Sequence, residues 1–182
     1  MKYILHILLV ILPFTAFSQE KGPADTKRAD EETLSATAVS PADAIWFPVK
    51  KIVDGDTFWI DDGSPKGLKI RLTGIDSPEP RNTGTKTKSF FGAESTNYLK
   101  ELLYNKRVRL EFDVSRYDRY GRTLAYVFLE DGTFVNAEMV RNGYATVMTV
   151  PPNVRHAGTF KELASGARKG NKGLWKGDPS LK

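Results

Sequence analysis

Cysteine is absent from the 182-residue chain, and histidine occurs only twice, as His6 and His156. Without cysteine the fold has no disulfide bonds and no thiol chemistry. His6 lies in an N-terminal segment that we expect to be removed. The mature chain would then lack paired histidines, and a zinc site built on His and Cys is not expected. Mechanisms that need paired histidines are therefore excluded.

Charge is nearly absent from the first 18 residues. Lys2 precedes an almost continuous apolar run at residues 4–17, and small residues follow at Ala16 and Ser18. This pattern predicts a signal peptide over residues 1–18. The alternative is a membrane anchor, but the run is shorter than the roughly 20 residues of a membrane span and contains Pro13. We expect cleavage, and a secreted or periplasmic protein with no remaining membrane attachment.

Residues 19–44 have no aromatic side chain and little aliphatic content. Such a segment buries too little apolar surface to offset its ordering entropy, so we predict a flexible tether. Residues 45–182 then form one domain. The whole chain carries +5; without Lys2 and the net −3 of the tether, this domain carries +7. Such a charge favours polyanions, including nucleic acid, anionic membranes and acidic glycans.

The hydrophobic pattern of the domain predicts five short strands and three helices. Apolar stretches flank Asp54-Gly55 in residues 46–60, which is typical of a hairpin. Apolar and charged residues alternate in residues 68–72 and 107–114, and residues 122–129 form a fifth strand. This order fits a β-barrel with helices (α+β), namely a closed five-stranded OB-fold barrel. An open α+β sheet is the alternative.

The helices are predicted from leucine spacing and from their end signals. One helix carries Leu99, Leu102 and Leu103 and ends near Asn105. A short helix begins at Asn136 as its N-cap, with Val135 and Val140 as a hydrophobic staple, and ends at Gly143. The last helix spans roughly residues 157–169 and stops at Gly170. Leu174 and Trp175 are predicted to dock on the core.

Two aspartates are predicted to lie at strand ends. Asp56 follows the hairpin turn, and Asp76 follows the third strand in RLTGIDSPEPR, residues 71–81. Two carboxylates held side by side repel each other unless a cation lies between them. Oxygen ligands favour Ca²⁺ or Mg²⁺, and the Ser77 carbonyl lies on the same turn. The alternative is that both aspartates are ordinary turn formers.

The same stretch carries a third acid and an arginine. Pro78 restricts its own backbone and that of Ser77, which would hold Glu79 at a fixed offset. Glu79 could then deprotonate or orient a water molecule, and Arg71 could bind an anionic substrate. The alternatives are a solvated loop glutamate and a surface arginine.

A second basic stretch, VSRYDRYGRTLAYV, interleaves cations and aromatic rings. Arg116, Arg119 and Arg122 recur every three residues, with Tyr117 and Tyr120 between them. Arginine donates two parallel hydrogen bonds to phosphate, and tyrosine stacks on bases. The alternative is an ordinary charged hairpin. Together, the acids and arginines suit phosphodiester hydrolysis without a covalent nucleophile.

These motifs resemble the staphylococcal nuclease (thermonuclease) family. VDGDTFWI, IRLTGIDSPE and DRYGRTLAYVFLEDGTFVNAEMVRNGYA contain GDT, R-x4-D-[ST]-P-E and D-[KR]-Y-G-R in the family's order and spacing. The resemblance runs from about Val49 to Trp175. It implies an OB-like barrel with added helices and Ca²⁺-dependent cleavage of DNA and RNA, which leaves 3′-phosphate and 5′-hydroxyl ends.

The resemblance also assigns roles by position. Asp56 and Asp76 match the metal carboxylates, and Ser77 matches the residue that offers a carbonyl. Glu79 matches the acid beside the attacking water, as base or as orienting group. Arg71 and Arg122 match the phosphate-binding arginines, and Tyr120 matches an aromatic residue beside the nucleotide.

Two positions depart from the family pattern. Thr149 and Pro151 stand where the best-known members carry tyrosines, which affects base stacking but not the phosphate chemistry. The loop at residues 81–88 also differs in length and composition. We expect a monomer that acts on DNA and RNA without a stable protein partner. An OB-type module that binds single strands without cutting, and a tethered structural or adhesion domain, are the competing hypotheses.

Overall fold

A five-stranded barrel forms the centre of the computed structural model, which describes residues 44–80 and 91–176. These residues belong to one unit, Val39–Lys182. Its elements, in chain order, are β1 (Phe47–Ile52), β2 (Thr57–Ile60), β3 (Leu68–Leu72), β4 (Ile75–Asp76), α1 (Gly92–Leu103), β5 (Arg107–Glu111), β6 (Thr123–Leu129), α2 (Val135–Arg141), β7 (Thr146–Val147), α3 (Ala157–Lys169) and a 3₁₀ helix (Gly173–Trp175).

The barrel strands follow the order β1-β2-β3-β6-β5 and close into a ring. Neighbouring strands are antiparallel except β3 and β6, which are parallel and place Arg71 opposite Leu124. The predicted closed barrel with three helices is confirmed, and the open-sheet alternative is wrong. Alternate side chains of each strand face the inside of the barrel, and closing the barrel buries them. Phe58, Ile60 and Ile70 are fully buried in this core.

The helices close the remaining sides of the core. Leu99 and Leu103 of α1, Met139 of α2 and Phe160 of α3 are almost completely buried. The prediction for α3 matches its observed ends. Helix α1 ends at Leu103, two residues before the predicted end, because the chain turns at Asn105 with a left-handed φ of 51°.

The chain after α3 docks as predicted. The Leu174 amide donates to the Gly143 carbonyl at 2.9 Å, and Trp175 is buried. Gly143 has a φ of 74°, and a Cβ there would lie 2.3 Å from the Lys172 carbonyl oxygen. Glycine is therefore required where α2 ends, both by its backbone angle and by the close approach of the C-terminal segment.

The predicted start of α2 is wrong in its details. The helix begins at Val135 with Phe134 as N-cap, so Val135 is not in the staple position and Asn136 is not the cap. The Asn136 side chain is buried instead. It accepts from the Val127 amide at 3.0 Å and donates to the Thr73 and Ala125 carbonyls at 2.9 and 3.3 Å. Tertiary hydrogen bonds thus replace the expected local one.

A two-stranded pair outside the barrel was not predicted. Strands β4 and β7 pair antiparallel, with Asp76 opposite Thr146, whose hydroxyl donates to the Asp76 carbonyl at 3.2 Å. Each strand has only two residues, too few for a periodic pattern. Their pairing fixes the backbone of Asp76 at the edge of the barrel.

Some predictions fall on residues outside the described ranges. The signal peptide, nearly all of the tether and the loop at residues 81–88 are in this group. Within residues 44–80 and 91–176, no helix combines the length and apolar character needed to cross a bilayer.

Candidate active site

Arg71 lies at the centre of the candidate site and is almost completely buried. Its Nη1 donates to the Leu72 and Ile75 carbonyls at 3.1 and 2.9 Å. The same nitrogen lies 3.0 Å from Asp56 Oδ2, and Nη2 lies 2.9 Å from Asp76 Oδ1. One guanidinium therefore brings together the two predicted strand-end carboxylates, and its own position is fixed by backbone.

The hairpin turn holds Asp56. The Val53 and Asp54 amides both donate to the Thr57 carbonyl, at 2.9 and 3.2 Å, and the Asp56 amide donates to Asp54 Oδ1 at 3.1 Å. Asp56 Oδ1 accepts from the Thr57 hydroxyl at 3.0 Å, and Oδ2 accepts from the Ser77 amide at 2.7 Å. Asp56 is therefore linked directly to the turn that carries Asp76 and Ser77.

Burial dominates the electrostatics of Asp56. It raises the pKa of this carboxyl group to about 7, against the lowering effect of Arg71, and the nearby Asp54 carboxylate raises the pKa further. A buried carboxylate with this pKa is costly to ionise in the protein alone. Additional positive charge beside Asp56 would lower the pKa and favour the ionised form.

Gly55 allows the hairpin turn to approach Ser77. A Cβ at residue 55 would lie 2.0 Å from Ser77 Oγ and 2.3 Å from Ser95 Oγ. These two hydroxyl groups are 2.7 Å apart, and Ser95 Oγ also donates to the Tyr144 carbonyl. Ser95 and this role of Gly55 were missed by the sequence reasoning, because the Asp-Gly pair indicated only a turn.

Glu79 follows Asp76 and Ser77 in the segment between β4 and α1 and is half-buried. Its backbone lies against the first residue of α1: a Cβ on Gly92 would lie 2.2 Å from the Glu79 carbonyl oxygen. The start of α1 therefore confines the backbone of Glu79. Glu79 is three residues after Asp76, so the pairing of β4 and the start of α1 fix the two ends of the short segment that carries it.

Asp118 positions Arg122. Its Oδ2 accepts from Arg122 Nε at 2.6 Å, and its Oδ1 accepts from the Arg122 and Tyr120 amides at 3.0 and 2.9 Å. Burial alone would raise the pKa of Asp118, but these hydrogen bonds and the Arg122 charge keep it below the ordinary value. Asp118 is the first residue of the D-[KR]-Y-G-R motif, and this role was not predicted from the sequence.

The predicted aromatic residues are exposed beside Arg122. Tyr117 and Tyr120 are 64% and 68% exposed. The Arg119 and Arg122 guanidinium carbons lie 4.8 and 5.5 Å from the Tyr120 ring centroid. Arg116 packs on the Phe112 ring instead, at 4.0 Å. The three arginines recur every three residues in the sequence, but only Arg119 and Arg122 lie beside Tyr120, and Arg116 lies elsewhere.

A cavity of about 460 Å³ lies beside the two arginines, and the acids Asp56, Asp76 and Glu79 do not line it. Arg71 and Arg122 both line it, as do Tyr117 and Tyr120. Its apolar side is formed by Met148, Val150, Pro151 and Pro152. Pro151 therefore lies at the cavity although it is not aromatic, and the cavity combines two cations with an apolar wall.

The residues around Asp56 offer only oxygen atoms as metal ligands. No group of three or more His, Cys, Asp or Glu side chains with metal-site geometry occurs in the described ranges. Asp56, Asp76 and the Ser77 carbonyl nevertheless provide two carboxylates and one backbone oxygen on linked turns. This donor set fits Ca²⁺, which accepts carbonyl oxygens and water beside few carboxylates.

A family model described as Staphylococcal nuclease homologue matches residues 69–177. The chain is 38% identical over 130 residues to a protein named Thermonuclease from Staphylococcus intermedius, which covers 71% of this chain and 75% of that protein. It is 31% identical over 173 residues to Thermonuclease from Staphylococcus hyicus, with 94% of each chain covered. Endonuclease YhcR from Bacillus subtilis is 31% identical over 166 residues, which are 87% of this chain and 13% of that protein.

Proposed function

The chain belongs to the staphylococcal nuclease family, and from this we propose that it is a nuclease that hydrolyses phosphodiester bonds in DNA and RNA. The observation that carries the proposal is the position of Arg71. It holds two carboxylates on one side and lines the cavity that also contains Arg122 on the other. A phosphate in this cavity would meet two forked cations.

Arg71 and Arg122 are proposed to stabilise the phosphoryl transition state. Arg71 is fixed by two backbone carbonyls and Arg122 by Asp118. Because both guanidinium groups are already oriented, little reorganisation is needed as negative charge develops on the phosphoryl oxygens. Removing one such donor typically costs roughly a hundredfold to a thousandfold in rate.

Asp56, Asp76 and the Ser77 carbonyl are proposed to hold Ca²⁺. When bound, the ion would supply positive charge beside the phosphate and lower the pKa of a water molecule. The burial of Asp56 supports this assignment, since the raised pKa of its carboxyl group calls for more positive charge than Arg71 provides.

Glu79 is proposed to assist the attack of water on phosphorus, as a base that accepts its proton or as a group that orients it. The new P–O bond forms as the bond from phosphorus to the 5′ oxygen breaks, and the departing 5′ oxygen takes up a proton from solvent. The products are a 3′-phosphate and a 5′-hydroxyl, as the family resemblance implies.

Substrate bases are proposed to contact the aromatic side of the cavity. Tyr120 and Tyr117 are exposed there, and Arg119 lies beside the Tyr120 ring. Pro151 provides no aromatic ring on the apolar wall, so this wall offers van der Waals contact rather than stacking. Stacking on an aromatic side chain is worth about 1–3 kcal/mol per base, so we expect Tyr120 to dominate base affinity.

Export is part of the proposal. The basic residue, apolar run and small residues at positions 1–18 support a cleaved signal peptide. The substrate would then be nucleic acid outside the cytoplasm, and the protein would bind it as a basic, monomeric domain.

Nicking of supercoiled plasmid by the wild type and by Glu79→Gln, with and without a chelator, tests the proposal. We expect Ca²⁺-dependent nicking by the wild type and a rate lower by about two or more orders of magnitude for Glu79→Gln. Both proteins should bind DNA, with an affinity that falls steeply with salt. Binding without nicking by the wild type would support a non-catalytic OB-type module, and nicking unaffected by chelator or by the variant would refute the assignment.

A further inference from the structure

A second row of side chains lies beside Arg71 on the outer face of the barrel. Phe58 and Ile70 point into the core. Since side chains alternate along a strand, Trp59 points outward on the face that carries Arg71. Trp59 pairs with Lys69 across β2 and β3 and with Lys51 across β1 and β2.

The row is close to the phosphate-binding arginine. Thr57 pairs with Arg71, and the next outward pair along the same strands is Trp59 with Lys69. Two residues along a strand correspond to ~7 Å. This is about two base steps of a stacked strand, whose rise is about 3.4 Å per base. A nucleic acid strand bound at Arg71 can therefore reach Trp59 within a few nucleotides.

Trp59 is a large apolar side chain with no place in the core. Among the described residues it belongs neither to the buried cluster nor to the half-buried hydrophobic side chains packed against that cluster. Its indole is partly exposed. A partly exposed tryptophan on a strand face offers a stacking surface for any base, because every base has a π-face.

Lysines surround this indole. Lys66 Nζ and Lys69 Nζ lie 5.5 and 6.0 Å from its ring centroid, and Lys51 is its exposed cross-strand neighbour. Cation–π contacts at exposed sites are worth only about 0.5–1 kcal/mol, so a stacking base can displace these lysines from the ring. The displaced ammonium groups remain within reach of the phosphates on either side.

The lysine charges are available for a polyanion. Within residues 44–80 and 91–176, Lys51, Lys66 and Lys69 form no ion pair with an acidic side chain. Asp61 and Asp62, in the loop that precedes Lys66, accept hydrogen bonds from the Gly63 and Ser64 amides of that loop. The patch is thus positive, with an aromatic centre.

We propose that Trp59 with Lys51, Lys66 and Lys69, here called the Trp59 platform, is an outer subsite for single-stranded nucleic acid. A base stacks on the indole, and the lysines bind the adjoining phosphates. The inference rests on the proposed function, because Arg71 is taken to hold the phosphate from which the strand extends. The strand would run from the cavity on the β6 side of Arg71 to the platform on its β2 side.

Calorimetric titration of the full chain carrying Glu79→Gln, with a thymidine dinucleotide and a thymidine octanucleotide, tests this proposal. Trp59→Leu should weaken octanucleotide binding about tenfold and leave dinucleotide binding unchanged. Trp59→Phe, which keeps an aromatic face, should retain most of the octanucleotide affinity. The slope of log affinity against log salt concentration reports the number of phosphates contacted. Lys69→Ala should reduce this slope by the value of about one phosphate, whereas the control Lys169→Ala on α3 should leave it unchanged.

The outcomes separate the subsite from the proposed function. Unchanged octanucleotide affinity in Trp59→Leu, or an equal loss for both oligonucleotides, would overturn the subsite alone. If the full chain carrying only Glu79→Gln binds neither the dinucleotide nor the octanucleotide, both proposals are overturned. If Trp59→Leu lowers the melting temperature, Trp59→Phe and Lys69→Ala decide the question, and full affinity with an unchanged salt slope in Lys69→Ala would count against the subsite.

Discussion

Arg122 and Arg71 are oriented by different partners, and this difference sets what substitution does at each. Arg71 is buried and bonded to backbone carbonyls and two carboxylates. Arg122 is held mainly by Asp118, and its side chain is 30% exposed. A change at Arg71 therefore disturbs the fold and the site together, while a change at Arg122 reports mainly on the site.

Arg122→Lys should lower turnover about a hundredfold while changing the free energy of unfolding by less than about 1 kcal/mol. Lysine keeps the charge but cannot donate two parallel hydrogen bonds to a phosphate. Initial rates on plasmid DNA and urea unfolding measure the two effects. Arg116→Lys is the matched control, because Arg116 packs on Phe112 and should be nearly silent in rate. A loss of stability that accounts for the loss of rate would contradict the role of Arg122.

Gly55→Ala should destabilise the protein by roughly 1–3 kcal/mol, because the new Cβ would overlap the Ser77 and Ser95 hydroxyl groups. Adding Ser95→Ala should recover part of this loss. Gly158→Ala in α3 is the control, since a Cβ there meets nothing within 4 Å and alanine favours a helix. Urea unfolding of the four proteins checks the comparison; similar stabilities for Gly55→Ala and the wild type would show that the turn does not need this close approach.

At the level of single residues, sequence reasoning found the charged groups but not their supports. Asp56 and Asp76 both contact Arg71, a contact that was not predicted, since Arg71 was expected to bind an anionic substrate. Ser95 and Asp118 were missed because their roles depend on a partner brought in by folding or on the exact shape of a turn. Chemical type is visible in a sequence, whereas a buried contact between distant segments is not.

At the level of elements, the connection between α2 and the barrel depends on one side chain. Asn136 bonds three backbone groups, two of them on β6 and one on Thr73 after β3. This connection places the segment that leads from β3 to Asp76. The helix therefore influences the site although it contributes no residue to the cavity.

Asn136→Ala should lower the free energy of unfolding by about 3 kcal/mol, because it leaves three buried backbone groups without a side-chain partner. Chemical denaturation measures the change. Asn97→Ala is the control, since Asn97 is exposed on α1 and alanine favours a helix. A loss at Asn136 no larger than at Asn97 would mean that ordered water replaces its hydrogen bonds.

The elements that were predictable have long, regular patterns. Helix α3 matches its predicted ends because an apolar stripe is followed by Gly170. Strands β4 and β7 have two residues each and exist only through their pairing. The start of α2 was misassigned because an asparagine near a helix start usually caps it, whereas here its side chain binds β6.

At the level of the whole molecule, His156 links stability to pH. Its ring packs against Tyr126 and Phe134, with centroids 4.4 and 4.9 Å apart. Burial lowers the pKa of His156, and the Arg155 charge lowers it further. The unfolded chain, with the ordinary value of 6.5, therefore takes up this proton first as the pH falls. The stability that this residue contributes is fully present above about pH 6.5. It is lost as the pH falls below that value toward the lower pKa of the folded state.

His156→Gln should remove this part of the pH dependence. When the pH is lowered from about 8 to about 5.5, the raised pKa of Asp56 adds stability to both proteins. The contribution of His156 is lost only in the wild type, so the wild type should lose stability relative to the variant. Urea unfolding at the two values gives the comparison, and the paired design cancels any constant cost of the substitution. Carboxylates with lowered pKa, such as Asp118, lose their contribution only at more acidic pH. An identical pH slope in both proteins would contradict the assignment to His156.

The most direct test of the whole account is calorimetric titration with Ca²⁺ of the wild type, Asp76→Asn and Asp131→Asn. Asp131 is an exposed turn residue that accepts from the Thr133 amide and serves as the control. We expect one binding site in the wild type and in Asp131→Asn, and an affinity at least about tenfold weaker in Asp76→Asn, since a carboxylate ligand is lost. Equal affinity in all three proteins, or no binding in the wild type, would contradict the claim that Asp56 and Asp76 together hold the ion.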